Sequence, residues 1–267
     1  AWIEPVILPK GGILLFGGHS KIGKSFLGLE VARAVSTGSN LFGYGGFKTE
    51  EAKVLLLEQE IGARGLKGRA DIVFRNENLE KIDDNLWYVS QDTDLMLDTI
   101  SGLSKVAENI DKTGANVLIL DPISDLFEGD ENDNTAVAKV FHNLGRLRKE
   151  FRSQNLSIVI AHHFGKPPTG KYVEGYDHLS FHNFRGASKF FSKPDTVCTA
   201  WRAEELSTPW EAWRLKARWI CRQGESPPEM YLSVNKNEDL RVYWERHTSE
   251  NKVKPEPLKN LRFSPAS

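Results

Sequence analysis

The stretch from Gly17 to Ser25 has the residue types and the spacing of a phosphate-binding loop. Its last eight residues, Gly-His-Ser-Lys-Ile-Gly-Lys-Ser, satisfy the pattern G-x-x-x-x-G-K-[ST]. In such loops the lysine reaches the β- and γ-phosphates and the hydroxyl binds Mg²⁺, which here assigns Lys24 and Ser25 to those roles. The pattern therefore predicts binding of ATP with Mg²⁺. The residues expected to line the nucleotide are Gly18, His19, Ser20, Lys21, Ile22, Gly23, Lys24, Ser25 and Phe26.

A carboxylate that could hold the metal ends a later apolar run, Val117 to Leu120. Such a run is typical of a buried parallel strand, and Asp121 follows it directly. A carboxylate at the end of such a strand can bind Mg²⁺ directly or through water. A helix cap or a loop acid is the alternative, and the upstream phosphate loop favours the metal role for Asp121.

Hydrolysis also needs a group that orients or deprotonates the attacking water. Glu58 and Glu60 both end the apolar run that begins at Val54. The strand is expected to run from Val54 to Glu60, so side-chain alternation places both carboxylates on one face, beside the phosphate loop. Glu60 is preferred because it lies nearer the carboxyl edge, where ligands bind in parallel sheets, and Glu58 stays open.

Two adjacent histidines, His162 and His163, end a further apolar run. At the carboxyl edge of the sheet, one of them could bind the γ-phosphate and report its loss to the following loop. The alternative is a buried structural histidine, which we expect for at least one of the pair. Zinc is not favoured, because no third ligand is positioned nearby.

The phosphate loop must lie between a strand and a helix. Ile13 to Phe16 predicts the strand, and apolar residues at helical spacing predict a helix from Ser25 to about Thr37. Strands and helices then alternate along the chain. A basic surface helix is expected over 62–76, and helices with one apolar face over 97–111, including Leu97 and Ile100, and over 135–151.

Beyond a short helix near 185–191, only strands separated by turns are expected. The order predicts an α/β fold, a doubly wound and mainly parallel sheet with helices on both faces and an antiparallel C-terminal edge. We expect one domain over residues 1–246 and a polar, flexible tail over 247–267.

Composition narrows the class of protein. The chain has 267 residues, 40% of them hydrophobic, and a net charge of -1, so nucleic-acid contacts would have to come from local clusters. No apolar run is long enough for a membrane span. Cys198 and Cys221 are too few for a disulfide framework, which favours the cytoplasm. The first residue is Ala and not Met, and an excised fragment without its N-terminal domain is one interpretation, which the sequence leaves open.

These motifs, in this order, resemble the RecA-type ATPases, and in particular the RepA-like and DnaB-like hexameric helicases. The resemblance covers about residues 2–245. It rests on the phosphate loop, the strand ending in Glu60, the strand ending in Asp121, His162-His163 followed by Lys166, and Arg185-Gly186-Ala187-Ser188.

The resemblance implies a ring of usually six subunits, with ATP between neighbours and pore loops that grip single-stranded DNA. It implies that Glu60 is the catalytic glutamate, that Asp121 binds magnesium, and that His162 or His163 senses the γ-phosphate. The segment 164–184 takes the place of a pore loop, and the alternative is a flexible surface loop. Its candidate DNA-binding residues are Lys166, Lys171, Tyr172 and His182.

One part of the family pattern is only half present. Such helicases place a lysine and an arginine, two residues apart, on the ATP of a neighbouring subunit. Here Arg222 matches the arginine, whereas Ile220 replaces the lysine. Arg222 is the first candidate for the finger, with Arg185, Lys189 and Lys193 behind it. A slow ATPase that acts as a switch is therefore an alternative to a helicase, and a kinase on the same scaffold is a third.

Overall fold

The computed structural model describes residues 1–74, 77, 79–165, 177–184, 186, 188–202, 211–236 and 242–247. Within these residues, nine strands form one sheet: β1 Ile13–Gly18, β2 Val54–Glu58, β3 Leu86–Ser90, β4 Val117–Asp121, β5 Ser157–His163, β6 Thr196–Arg202, β7 Glu211–Cys221, β8 Met230–Lys236 and β9 Val242–His247. The helices are α1 Lys24–Thr37, α2 Gly62–Val73, α3 Leu79–Asn85, α4 Ile100–Thr113, α5 Asn134–Glu150 and α6 Lys189–Ser192.

The order of strands across the sheet is β3-β2-β4-β5-β1-β6-β7-β8-β9. Strands β1 to β6 are parallel, and β7, β8 and β9 add antiparallel neighbours beyond β6. The predicted fold class, a doubly wound and mainly parallel sheet with an antiparallel C-terminal edge, is confirmed. The expectation that the strand carrying Glu58 lies beside the phosphate loop is wrong, because β4 and β5 separate β2 from β1.

Both faces of the parallel strands are buried, and each face packs on its own set of helices. One core joins Leu14, Phe16 and Leu56 to α1 and α2. The other joins Leu15 and Leu57 to α4, α5 and α6. Side chains alternate between these two cores along each strand, which explains why the strands are continuously apolar. The alternation also decides on which side of the sheet each polar residue at a strand end lies.

The structure corrects several boundaries and one buried position. The interpretation of Ile100 as part of an apolar helix face is wrong, because Ile100 is 87% exposed. Helix α4 begins only there, after the Thr99 hydroxyl accepts a hydrogen bond from the Gly102 N–H group. Leu97 precedes the helix and is fully buried. The short helix near 185–191 is α6, and β9 extends through His247, one residue into the expected tail.

Within the described residues, no helix is both long enough and apolar enough to cross a membrane.

Candidate nucleotide site

The phosphate loop connects the carboxyl end of β1 to the N-terminus of α1. Gly23 has a φ of 99° and directly precedes the first helical turn, a conformation that favours glycine. Gly18 has no room for a side chain, because a Cβ atom there would overlap Ile22 and lie 2.9 Å from the Ala200 carbonyl oxygen. The helix N-terminus offers backbone N–H groups and a positive dipole end to an anion.

Lys24 lies inside this loop, with only 6% of its surface exposed. Its ammonium group donates hydrogen bonds to the carbonyl oxygens of Gly18, at 3.2 Å, and His19, at 2.9 Å. Burial lowers the pKa of Lys24 to about 8, although the carboxylates of Asp121 and Glu60 oppose this shift. The two acidic residues predicted from separate strand ends therefore act on the same ammonium group.

Asp121 and Ser25 are brought together as a metal site requires. Asp121 is buried and accepts a hydrogen bond from the Ser25 hydroxyl. Burial raises the pKa of Asp121 to about 6, with Glu60 and Glu58 adding to the rise while Ser25 and Lys24 oppose it. One carboxylate and one hydroxyl beside a phosphate cradle are a donor set that suits Mg²⁺, which usually binds few protein ligands together with phosphate oxygens. The residues therefore fit the ion.

The two glutamates of the second strand have different surroundings. Strand β2 ends at Glu58, so the expectation that Glu58 and Glu60 share a strand face is wrong. Glu58 is 1% exposed, and its carboxylate accepts hydrogen bonds from the backbone of Glu60, Ile61 and Gly62. Glu60 is exposed, and its carboxylate has no hydrogen-bond partner in the part of the chain that the structure describes. These surroundings favour Glu60 as the group that meets water.

The two histidines of β5 point to opposite faces. His162 is fully buried, stacked 3.9 Å from the ring of Phe190 and in the core with α5 and α6. His163 is partly exposed on the opposite face, the side of α1, and its register partner on β1 is Gly18. The His163 side chain therefore lies on the face of the sheet that α1 covers, whereas His162 has the surroundings of a structural residue.

The chain that leaves β5 packs directly against the phosphate loop. The Phe164 N–H group donates to the Gly18 carbonyl oxygen at 3.0 Å. Phe164 also forms an antiparallel bridge with Phe184, so the two ends of the 164–184 connection are held together. A Cβ atom at Gly17 would overlap the Phe184 ring. The base of this connection and the phosphate loop thus share one packed contact.

An aromatic cluster beside the loop was missed from the sequence. The His19 ring packs edge-on against Phe164 and Trp201, at 5.3 and 5.2 Å between centroids, and His178 stacks on Trp201. Burial lowers the pKa of His19, with the charges of His178 and Lys24 adding to the effect. A search for side chains that end each parallel strand would have found Trp201, because β6 ends at Arg202.

The returning end of the connection is fastened to the outer strands. Thr199 donates a hydrogen bond to the Leu179 carbonyl oxygen, and Asp177 pairs with Arg218. Arg218 also bonds Glu229 at 2.6 Å. Residues 177–184 are therefore anchored on one side to the phosphate loop and on the other to β6 and β7.

Arg222 lies far from the phosphates of its own chain. Cys221 pairs with Thr196 at the start of β6, so Arg222 is at the sheet edge opposite to the phosphate loop. Its guanidinium donates to the Phe191 carbonyl oxygen at 2.9 Å. Arg222 is therefore not part of the nucleotide site of its own chain, and its role as a finger stays a prediction.

The remaining candidates are located as follows. His182 is exposed beside Phe191, with 5.9 Å between ring centroids, on the connection that returns to the site. Lys189 and Lys193 lie at the two ends of α6. Four candidates fall outside the described residues: Lys166, Lys171, Tyr172 and Arg185.

Comparisons with known proteins identify the fold and a family. A family model described as an AAA domain matches residues 1–169. Among solved structures, the flagellar accessory protein FlaH from Methanocaldococcus jannaschii is similar, with a TM-score of 0.57 and 12% identity over 91% of this chain and 92% of that one. No curated protein matches. The fold is that of a RecA-type P-loop ATPase.

Proposed function

Since this chain belongs to the AAA-domain family, we propose that it is an ATP-hydrolysing motor that acts on single-stranded DNA as a ring-shaped oligomer. The finer assignment to a replicative-type helicase, with six subunits in the ring, follows the RepA-like and DnaB-like motifs. One observation carries the ATPase part of the proposal: the buried Lys24 ammonium is bonded within the phosphate loop to Gly18 and His19, and the carboxylates of Asp121 and Glu60 act on it.

Each residue of the site has a distinct part in hydrolysis. Lys24 and the loop N–H groups bind the phosphates, and Ser25 and Asp121 hold Mg²⁺. Held by these two residues, Mg²⁺ would supply positive charge that offsets the negative charge of the phosphates. Glu60 orients the attacking water and accepts its proton. His163 contacts the γ-phosphate from the end of β5.

The packing of the 164–184 connection supports coupling between ATP and DNA. Phe164 bonds to Gly18 and follows His163 directly, so displacement of the phosphate loop acts on the base of the connection. His182 lies on the returning part of the same connection. We propose that this connection contacts the DNA and changes position with the state of the nucleotide.

The second candidate is a RecA-type ATPase that does not unwind DNA, such as a recombinase paralogue, a loader or a regulatory ATPase of a mobile element. Two observations favour it. Ile220 stands where a second trans-acting cation is expected, and the Arg222 guanidinium is already bonded within its own chain. A weak or absent finger slows hydrolysis by several powers of ten and suits a switch.

ATP hydrolysis is the first test. We expect Mg²⁺-dependent turnover that single-stranded DNA stimulates, and we expect the Lys24→Ala variant to have none. Lys105→Ala is the matched control, because Lys105 is partly exposed and paired with Asp94 on the other side of the sheet. Unchanged turnover in Lys24→Ala would disprove the site assignment.

Strand displacement separates the two candidates. A forked duplex with a labelled strand should be unwound by the motor, whereas the alternative should only bind it or not bind it at all.

Measurement of the mass of the protein with ATP and Mg²⁺, with and without single-stranded DNA, tests whether it forms a ring. A monomer under every condition would argue against both the ring and the trans-acting finger.

A further inference from the structure

The Glu58 carboxylate is at the centre of the turn that carries Glu60. It accepts hydrogen bonds from the backbone N–H groups of Glu60, at 2.7 Å, Ile61, and Gly62, at 3.1 Å. The Ser90 hydroxyl at the end of β3 donates a fourth, at 3.0 Å. Each of the two carboxylate oxygens of Glu58 therefore accepts two hydrogen bonds, which satisfies the buried carboxylate.

This carboxylate also caps helix α2. Gly62 is the first residue of the helix, so the N–H groups of Glu60, Ile61 and Gly62 lie at its positive dipole end. A negative charge at that position stabilises the helix and fixes the direction in which the chain enters it. Because these bonds occupy the Glu58 oxygens, Glu58 is poorly placed to take a proton from water.

The same turn is tied to the metal-binding strand. The Gln59 N–H group donates to the Asp121 carbonyl oxygen at 3.0 Å, and the Gln59 amide donates to the Asp92 carbonyl oxygen at 3.0 Å. Glu58 and Asp121 are register partners on β2 and β4. The backbone position of Glu60 is therefore set by β2, β3 and β4 together, whereas no described residue hydrogen-bonds to the Glu60 side chain.

We propose that Glu58 is a positioning residue for hydrolysis. By holding the backbone from Glu60 to Gly62, it places the Glu60 carboxylate where that group meets the attacking water. This inference rests on the proposed function, because it assumes that Glu60 activates water. It adds a role for Glu58 and for Ser90, both of which act through the backbone of the turn.

A double-mutant cycle tests the proposal. Glu58→Gln keeps the shape but directs an NH₂ group at backbone N–H donors, so the turn must shift. Since small misplacements of a catalytic group are costly, we expect kcat for ATP to fall about a hundredfold. Affinity for ADP should stay within about twofold, because the phosphate loop is untouched. In a Glu60→Gln background, Glu58→Gln should have no further effect on kcat.

Ser90→Ala provides a milder variant that keeps the carboxylate and the fold. Loss of one hydrogen bond to Glu58 should lower kcat about fivefold, again only while Glu60 is present. Ser104→Ala, on the exposed face of α4, is the matched control and should change neither kcat nor ADP affinity.

The outcomes separate this inference from the function on which it rests. Losses that multiply in the double variants, or a fall in ADP affinity that matches the fall in kcat, would show an ordinary structural role and overturn the inference alone. An active Glu60→Gln with an inactive Glu58→Gln would make Glu58 the base itself, which also overturns it. If the wild-type protein hydrolyses no ATP, the proposed function fails and the inference fails with it.

Discussion

The Ser25 hydroxyl donates a hydrogen bond to the buried carboxylate of Asp121, and that carboxylate lies close to the charges of Lys24, Glu58 and Glu60. The pair joins the first turn of α1 to the end of β4, across the end of β5. Here the predicted metal ligands, Ser25 and Asp121, interact with the predicted acid-base residues. Because these charges are buried close together, we expect the site to lower the free energy of unfolding of the protein without ligands.

Asp121→Asn should therefore stabilise the metal-free protein while it removes activity. The folded-state pKa of Asp121, about 6, exceeds the ordinary value, so the folded protein binds the proton more tightly than the unfolded chain. The stability that protonated Asp121 gives to the folded protein is fully present below the ordinary pKa of an aspartate. It is lost as the pH rises through about 6. At pH 7 in EDTA we expect the variant to be more stable by roughly 1–3 kcal/mol.

Thermal unfolding in EDTA at pH 4 and pH 7 measures this effect. The advantage of Asp121→Asn should disappear at pH 4, where wild-type Asp121 is protonated. ATP hydrolysis with Mg²⁺ should be lost at both pH values. If the variant is less stable than wild type at pH 7, the buried carboxylate of Asp121 does not destabilise the metal-free protein, which would contradict this interpretation of the site.

Substitutions of the two histidines at the end of β5 should have different effects, one on stability and the other on ATP turnover. His162→Ala removes a ring packed against Phe190, so unfolding free energy should fall by on the order of 2–4 kcal/mol. His163→Ala should leave stability nearly unchanged and lower ATP turnover, because only His163 lies on the side of the phosphate loop. Denaturant unfolding and kcat, measured on both variants, check this division, and the reverse pattern would assign the sensor to His162.

Gly17 and Gly28 form a matched pair of substitutions. A Cβ atom at Gly17 overlaps Phe184, so Gly17→Ala should destabilise the protein by about 1–3 kcal/mol. At Gly28, inside α1, the nearest atom is 3.8 Å away, so Gly28→Ala should stabilise it by about 0.5–1 kcal/mol. Phe184→Leu should restore part of the loss in Gly17→Ala, as thermal unfolding would reveal. Equal stability of the two alanine variants would refute the contact.

The features that the sequence predicted correctly are those set by residues close together in the chain, and the features that it missed depend on contacts between distant segments. The phosphate loop, its flanking strand and helix, and Asp121 follow from local patterns, since spacing and periodicity are properties of short segments. The order of strands across the sheet is not local. That β5 lies between β1 and β4 depends on connections made over the whole chain, so the position of β2 was misjudged.

Glu58 and Glu60 illustrate the same limit at the level of single residues. Alternation along a strand places them on one face only if the strand continues to Glu60. The strand ends at Glu58 because its carboxylate captures the next backbone N–H groups and begins the turn into α2. Competition between a side chain and the strand ladder is not visible in an apolar pattern.

Arg222 is best tested by mixing subunits. If it completes the site of a neighbour, Arg222→Ala should lower ATP turnover without lowering ADP affinity, since it lies at the edge opposite to its own phosphate loop. Mixtures of Arg222→Ala and Lys24→Ala subunits should then regain part of the activity, because some interfaces combine an intact loop with an intact arginine. Mixtures as inactive as the separate variants would argue against a trans-acting Arg222.

The bridge between Phe164 and Phe184 has a thermodynamic consequence for any partner of the connection it closes. Bringing the two ends of a chain segment together costs entropy, which grows with the logarithm of its length. In this protein the ends are already brought together by folding. The Phe164 N–H group donates a hydrogen bond to the Gly18 carbonyl oxygen, and the Gly165 N–H group donates one to the Asn183 carbonyl oxygen at 2.8 Å. A partner that binds between these anchors finds the ends already fixed, so more of its contact energy is left for affinity.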